Sequence, residues 1–181
     1  MRSFAKFIVL ICLLAVVSSC SDDNHPWAKY TSAEGGFTVM MPSRVKKSEK
    51  KEYTVFGKQI THFVTWKPSS FAIDKFKLFQ VSYTDCPPRI AADSALLNSA
   101  LDSAMAIRKK DFTEGDLEAE NVDLNGYPGR SFIFVNKDED VAIVRECIVN
   151  NRKYDLTVVT KKNYKTSAEV GTFFNSFQSL R

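Results

Sequence analysis

Histidine is scarce in this chain of 181 residues, which has only two. His25 lies in a polar stretch near the N-terminus and His62 in an alternating segment far from it, so no fixed histidine pair is on offer for zinc. There is no G-x-S-x-G nucleophile elbow and no C-x-x-C. No spaced D-x-D-x-D-G loop for calcium occurs either. The apolar run Phe7–Val17, FIVLICLLAVV, has eleven residues, well short of the roughly 20 that a spanning helix needs. Glycine and proline are sparse, at seven and six, which excludes a low-complexity or collagen-like chain.

The beginning of the chain is the most informative part of what is present. Arg2 and Lys6 form a basic head, the apolar run follows, and the small residues Ser18 and Ser19 precede Cys20. This is the layout of a secretory signal. With the cysteine in that place, "AVVSSC" resembles the lipobox of bacterial lipoproteins, with Val17 where leucine is usual. The resemblance implies cleavage before Cys20, acylation of its thiol and attachment to a membrane, with two or more acyl chains giving stable anchoring. Residues 1–19 are then the signal peptide, 20–29 a lipidated tether, and 30–181 a single domain. Ser21, Asp22 and Asp23 follow the cysteine. They are similar to acidic sorting signals that send Bacteroidetes lipoproteins to the cell surface, and they also read as a solvated tether. The expected location is the bacterial outer membrane, with the periplasmic and external faces both open.

Loss of the signal removes Arg2 and Lys6, so 23 basic residues face 21 acidic ones and the formal net charge falls from +4 to +2. Nothing in that balance argues for nucleic acid. The 162 remaining residues suffice for one domain with a substantial core. Cys86 and Cys147 are the cysteines left over. In an oxidising compartment they can form one disulfide, or stay reduced as small core residues.

Along the domain, "GGFTVMMP" (Gly35–Pro42) reads as a short strand. "SRVKKSEKK" reads as a solvated loop in preference to a headgroup-binding patch. Glu52–Trp66 alternates and reads as a hairpin, and Lys75–Asp85 as another strand closed by Pro87 and Pro88. Between Ile90 and Phe112 the period becomes helical, with Ile90, Leu97, Leu101, Ala104, Met105 and Phe112 in one stripe. Leu117–Thr160 reads as a four-stranded meander punctuated by Asn125-Gly126, Asp138–Asp140 and Asn150-Asn151. A closing helix starts at Thr166, boxed by Glu169, with Val170, Phe173, Phe174, Phe177 and Leu180 on its apolar face. The segregation of strands and helices predicts an α+β class with an antiparallel sheet flanked by helices.

The landmarks "GGFTVMMP", "LNGYPGRSF", "RECIVNNRKYDLTVV" and "FFNSF" are similar, in this order, to the PsbP-like and DcrB-like superfamily. The likeness extends over about Ala28–Leu180. It implies an α/β/α sandwich with a central antiparallel sheet. Members support a photosystem, bind a small GTPase or are exported proteins of unassigned role, and they share no catalytic residue that carries over. The likeness therefore implies neither an enzyme nor a cofactor.

Site readings beyond the anchor are modest. His62 shares a face with Ile60, Val64 and Trp66 and reads as a packed histidine rather than a base. Asp138, Glu139 and Asp140 read as a solvated turn and Asp123 as part of another, so no metal is expected. Tyr127 and Arg130, beside a turn, are candidates for an exposed binding surface, since both residue types are enriched at hot spots. The function expected is non-catalytic: a lipoprotein held to the membrane through Cys20 that binds or supports an unknown envelope protein. A small-ligand or metal carrier is the alternative, and a hydrolase the third.

Overall fold

The computed structural model describes residues 26–54, 57–68, 75–87, 93, 95–96, 98–103, 117–135 and 140–180. The signal segment, Cys20, Ser21, Asp22, Asp23, His25, Asp138 and Glu139 lie outside them.

Among the described residues, ten strands make two antiparallel sheets. The small sheet has the order β1-β2-β10, formed by Trp27–Ser32, Phe37–Pro42 and Gln178–Ser179. The large one has seven strands in the order β3-β4-β5-β9-β8-β7-β6. These are β3 (Lys46–Thr54), β4 (Gly57–Trp66), β5 (Phe76–Asp85), β6 (Leu117–Leu124), β7 (Tyr127–Val135), β8 (Asp140–Val149) and β9 (Arg152–Lys161). A 3-10 turn (Lys162–Tyr164) and a C-terminal helix (Ala168–Asn175) follow β9.

The meander forms as its turn residues dictate. Asn125 and Gly126 both have positive φ, as do Asn150 and Asn151, which joins β6 to β7 and β8 to β9 by two-residue turns. Gly129 lies where a Cβ would run into the carbonyl of Glu146 on the neighbouring strand, so only glycine lets β7 approach β8 this closely. In β9 burial alternates strictly, with Arg152, Tyr154, Leu156, Val158 and Thr160 inward. In β5 a bulge between Phe76 and Leu78 shifts the register, so Phe76 packs on Phe79 with ring centroids 5.1 Å apart.

The small sheet and the C-terminal helix cover one face of the large sheet. Phe37 of β2 is fully buried and meets Tyr30, Tyr83, Tyr154 and Phe177 at ring separations of 6.0–6.2 Å. Trp27 packs edge-on against Phe79, and Phe173 of the helix reaches the same ring at 5.3 Å. On the opposite face, Phe132, Phe134 and Val144 form a smaller buried cluster. Helical residues 98–103 lie against that face at β7, where Arg130 binds Asn98 and Asp102 and Leu101 is buried.

The α/β/α sandwich expected from the sequence is therefore not the architecture. Two antiparallel sheets dominate, and a second sheet takes most of the place assigned to a helical layer. The stripe ending at Leu180 is helical for only eight residues, because Gln178 and Ser179 pair with β2 and leave Leu180 exposed. The helix cap is Ser167, whose hydroxyl accepts from the Val170 amide, one residue beyond the predicted Thr166. Of the stripe from Ile90 to Phe112, Leu101 is among the described residues and is buried, while the other five members lie outside them. β1 opens at Trp27, inside the stretch assigned to the tether. "SRVKKSEKK" contributes the first residues of β3, an edge strand, where charge blocks edge-to-edge pairing.

Phe37→Ala removes the ring that joins the two layers and leaves a cavity among four aromatics. It should lower unfolding stability by about 3–5 kcal/mol. Urea titration checks this, with a fallen midpoint and an unchanged slope expected.

Candidate functional site

A polar site lies at one end of the interface between the sheets. Three rings and a guanidinium form a row across β4, β5 and β9. His62 stacks on Tyr83 at 4.8 Å and 14°, and the Arg152 guanidinium sits 4.9 Å from the Tyr83 ring centre. Tyr154 is register-paired with Tyr83. Arg152 donates two hydrogen bonds to Asp85, of 2.6 and 2.8 Å, and a third to the Glu34 carbonyl. The Tyr154 hydroxyl donates to the Gly35 carbonyl at 2.8 Å. Ser32 closes the Gly35–Gly36 turn by accepting from the Gly35 amide. The Glu34 carboxylate then lies 3.8 Å from Nδ1 of His62.

The result is a crevice of about 260 Å³ whose polar lining includes Glu34, Lys47, Glu49, His62 and Tyr83. Burial pushes the Tyr83 hydroxyl above its ordinary range, and the neighbouring Glu34 carboxylate pushes it the same way against the opposing pull of Arg152. Its hydrogen bond to Asp85 holds the Arg152 guanidinium more firmly protonated, and burial opposes this. Such a lining offers one imidazole, carboxylates, an ammonium and a neutral phenol, which suits a small polar ligand. Of these residues the sequence alone singles out His62. Glu34 and Arg152 carried a faint signal, one just before a Gly-Gly pair and the other just after the Asn-Asn turn.

Tyr127 and Arg130, the residues predicted to share a binding surface, are not brought together. The two side chains lie on opposite faces of β7. Tyr127 packs against the main core, and Arg130 bonds Asn98 and Asp102 with its side chain largely buried. An arginine that holds a helix to a sheet is a packing residue. Asp140 departs from the solvated turn predicted for it, because it is buried at the start of β8 between Lys77 and Lys161. Burial works to raise its pKa, but hydrogen bonds and charge from Lys161 and Lys77 prevail and lower it.

Cys86 and Cys147 are both free thiols. Cys86 follows β5 and its amide bonds the Asn151 carbonyl, while Cys147 lies on β8 opposite Tyr154. β9 runs between them, so two strand spacings alone separate their Cα atoms by about 10 Å, beyond the roughly 7 Å that a disulfide can bridge. Among the described residues no group of three or more histidine, cysteine, aspartate or glutamate side chains is placed to hold a metal, and no helix is long and apolar enough to cross a membrane.

No protein-family model matches the chain, and no curated protein matches it. Among solved structures, the solution structure of cyanobacterial PsbP (CyanoP) from Synechocystis sp. PCC 6803 superposes with a TM-score of 0.51. That match covers 90% of this chain and 98% of that one at 11% identity. The fold is PsbP-like. At that identity the likeness carries the fold and nothing of the site.

Two outcomes test this geometry. Burial drives the Cys147 thiol up to about 12, so it stays protonated at neutral pH. Mass-resolved labelling with a thiol reagent should modify Cys147 only after unfolding. Asp140 titrates lower folded than unfolded, so its contribution is present above the unfolded carboxyl value near 4 and is lost as pH falls through the folded value. Asp140→Asn should cost about 1–2 kcal/mol at neutral pH and flatten the acid limb of a stability–pH profile.

Proposed function

We propose that this chain is a lipid-anchored envelope lipoprotein whose PsbP-like domain binds or supports a partner without catalysing a reaction. The observation that carries the reading is Cys20, set after an uncharged run and two small residues as in a lipobox. Acylation there makes sense of an N-terminal cysteine that would otherwise be a lone reactive thiol in an oxidising compartment. Six residues, Ser21–Pro26, separate Cys20 from the start of β1 at Trp27. Even fully extended they reach about 25 Å, so the domain works close to the bilayer. In this reading the membrane is the outer membrane. Ser21, Asp22 and Asp23 then either direct export to the surface or serve as a solvated tether.

A second reading, an envelope carrier of a small polar ligand, is favoured by the crevice around His62 and Glu34. Native mass spectrometry of protein purified from its own membranes would show a bound small molecule if this is the working state.

Radiolabelled palmitate fed to cells should label the wild type and leave Cys20→Ala unlabelled. Equal labelling of both would overturn the anchor. Digestion of labelled protein by protease added to intact cells indicates the external face, and protection indicates the periplasmic one.

A further inference from the structure

Among the described residues the two ends of the sandwich differ in charge; Asp22, Asp23, Asp74, Asp138 and Glu139, which precede β1, β5 and β8 in the sequence, lie outside them. At one end β2, β4 and β9 finish and β1, β3, β5 and β8 begin. The chain arrives there from its N-terminus, with the Pro26 carbonyl accepting from the Ser43 amide beside Arg44. Arg44, Lys46, Lys67, Lys75, Lys162 and Lys165 are at this end, and the first five are exposed. Lys77 and Lys161 are there too, each paired with Asp140. Among the described residues the acids at this end are Asp140, buried between those lysines, Glu169 at the helix start and Glu118 on the far edge strand. Partly buried rings stand among the cations: Trp27, Phe76 and Tyr164, the last with the Lys75 ammonium 5.2 Å from its centre. The opposite end mixes signs, with Glu34, Asp85 and Asp123 near Arg152 and Lys153.

We infer that this lysine-rich end is a second, electrostatic attachment of the domain to the membrane, seated on anionic lipid headgroups. The inference rests on the anchored reading above. Each basic side chain near an anionic leaflet is attracted within about one Debye length, roughly 8 Å at physiological salt. A leash reaching about 25 Å brings the end repeatedly into that range, so weak attraction suffices once the anchor raises the local concentration. The rings have the amphipathic character that favours the interface. The basic run Arg44–Lys51 is not itself the patch. Only its first residues are at this end, and Lys50 and Lys51 run away along β3, paired with Glu52 and Glu49.

The protein carries its own probes. Its two tryptophans, Trp27 and Trp66, are both at the lysine-rich end. The full chain, purified from membranes in its processed form, is reconstituted into phosphatidylcholine vesicles with or without phosphatidylglycerol. Both vesicle types carry a nitroxide-headgroup quencher. Tryptophan quenching should be greater by roughly two-fold in the anionic vesicles and should fall with added salt. Lys67→Glu/Lys75→Glu/Lys162→Glu should lose that increment, and Lys50→Glu/Lys51→Glu should keep it. Equal quenching in both vesicle types, with the protein firmly bound to each, overturns the inference and leaves the anchor standing. Protein that washes off neutral vesicles but holds to anionic ones in a salt-sensitive way supports the inference and overturns the anchor.

Discussion

Phe37 is the joint on which the two sheets depend. It has no exposed surface, and its ring meets four others, contributed by β1, β5, β9 and the segment after the C-terminal helix. Those partners come from widely separated parts of the chain, so this packing forms only when the N-terminal strands, the middle of the large sheet and the C-terminus have all assembled. A three-stranded sheet whose third strand is two residues long has little stability of its own. Its stability comes from lying on Phe79, Tyr83 and Tyr154. The large sheet in turn has an inner face too apolar to be left in water.

The polar crevice is a by-product of the same joint. Phe37 pulls the Gly35–Gly36 turn down onto β5 and β9, and the buried carbonyls of that turn need donors. Tyr154 and Arg152 supply them. Arg152, nearly buried, in turn needs Asp85. Tyr83 is left between that guanidinium and the His62 ring. Tyr154, Arg152 and Asp85 therefore each have a structural reason to be where they are. The surplus beyond that reason lies in Glu34, Glu49 and Lys47, whose charged ends line the crevice without being required by the joint.

The local features legible in the sequence were those with local causes. Asn-Gly and Asn-Asn turns require positive φ and occur in the chain as such, so the meander from Leu117 to Thr160 could be read strand by strand. Val170, Phe173 and Phe174 lie on a buried helix face because helix geometry puts them there. The layer architecture was not legible. A helical stripe and a strand that buries one face both present apolar residues to a sheet, and "FFNSFQSL" satisfies a helical period while its last residues pair with β2. The charge-dense run Arg44–Lys51 has the composition of a loop, and only the pairing of Lys46–Thr54 with β4 makes it an edge strand. Asp140 shows the same limit. Its burial depends on Lys77 and Lys161, and no spacing in the sequence reveals that the three meet. Tyr127 and Arg130 are close along the chain, but the two-residue alternation of a strand turns their side chains to opposite faces.

Charge, chain direction and crevice together give the molecule a polarity. A ten-residue strand is about 33 Å long, so the Gly35 turn lies most of a strand's length from the lysine-rich end. If the lysine-rich end sits on headgroups, the Gly35 turn and the mouth around Glu34 and His62 are carried outward from the bilayer, beyond the strongest part of its surface potential. A mixed-charge crevice in that position meets solutes and proteins in bulk aqueous solution instead of lipid. On the anchored reading, a leash this short would also hold the domain close to the bilayer, and a partner would be met there with the Gly35 end presented to it. On that reading the anchor would set the location, the basic end the orientation, and the crevice the surface left for recognition.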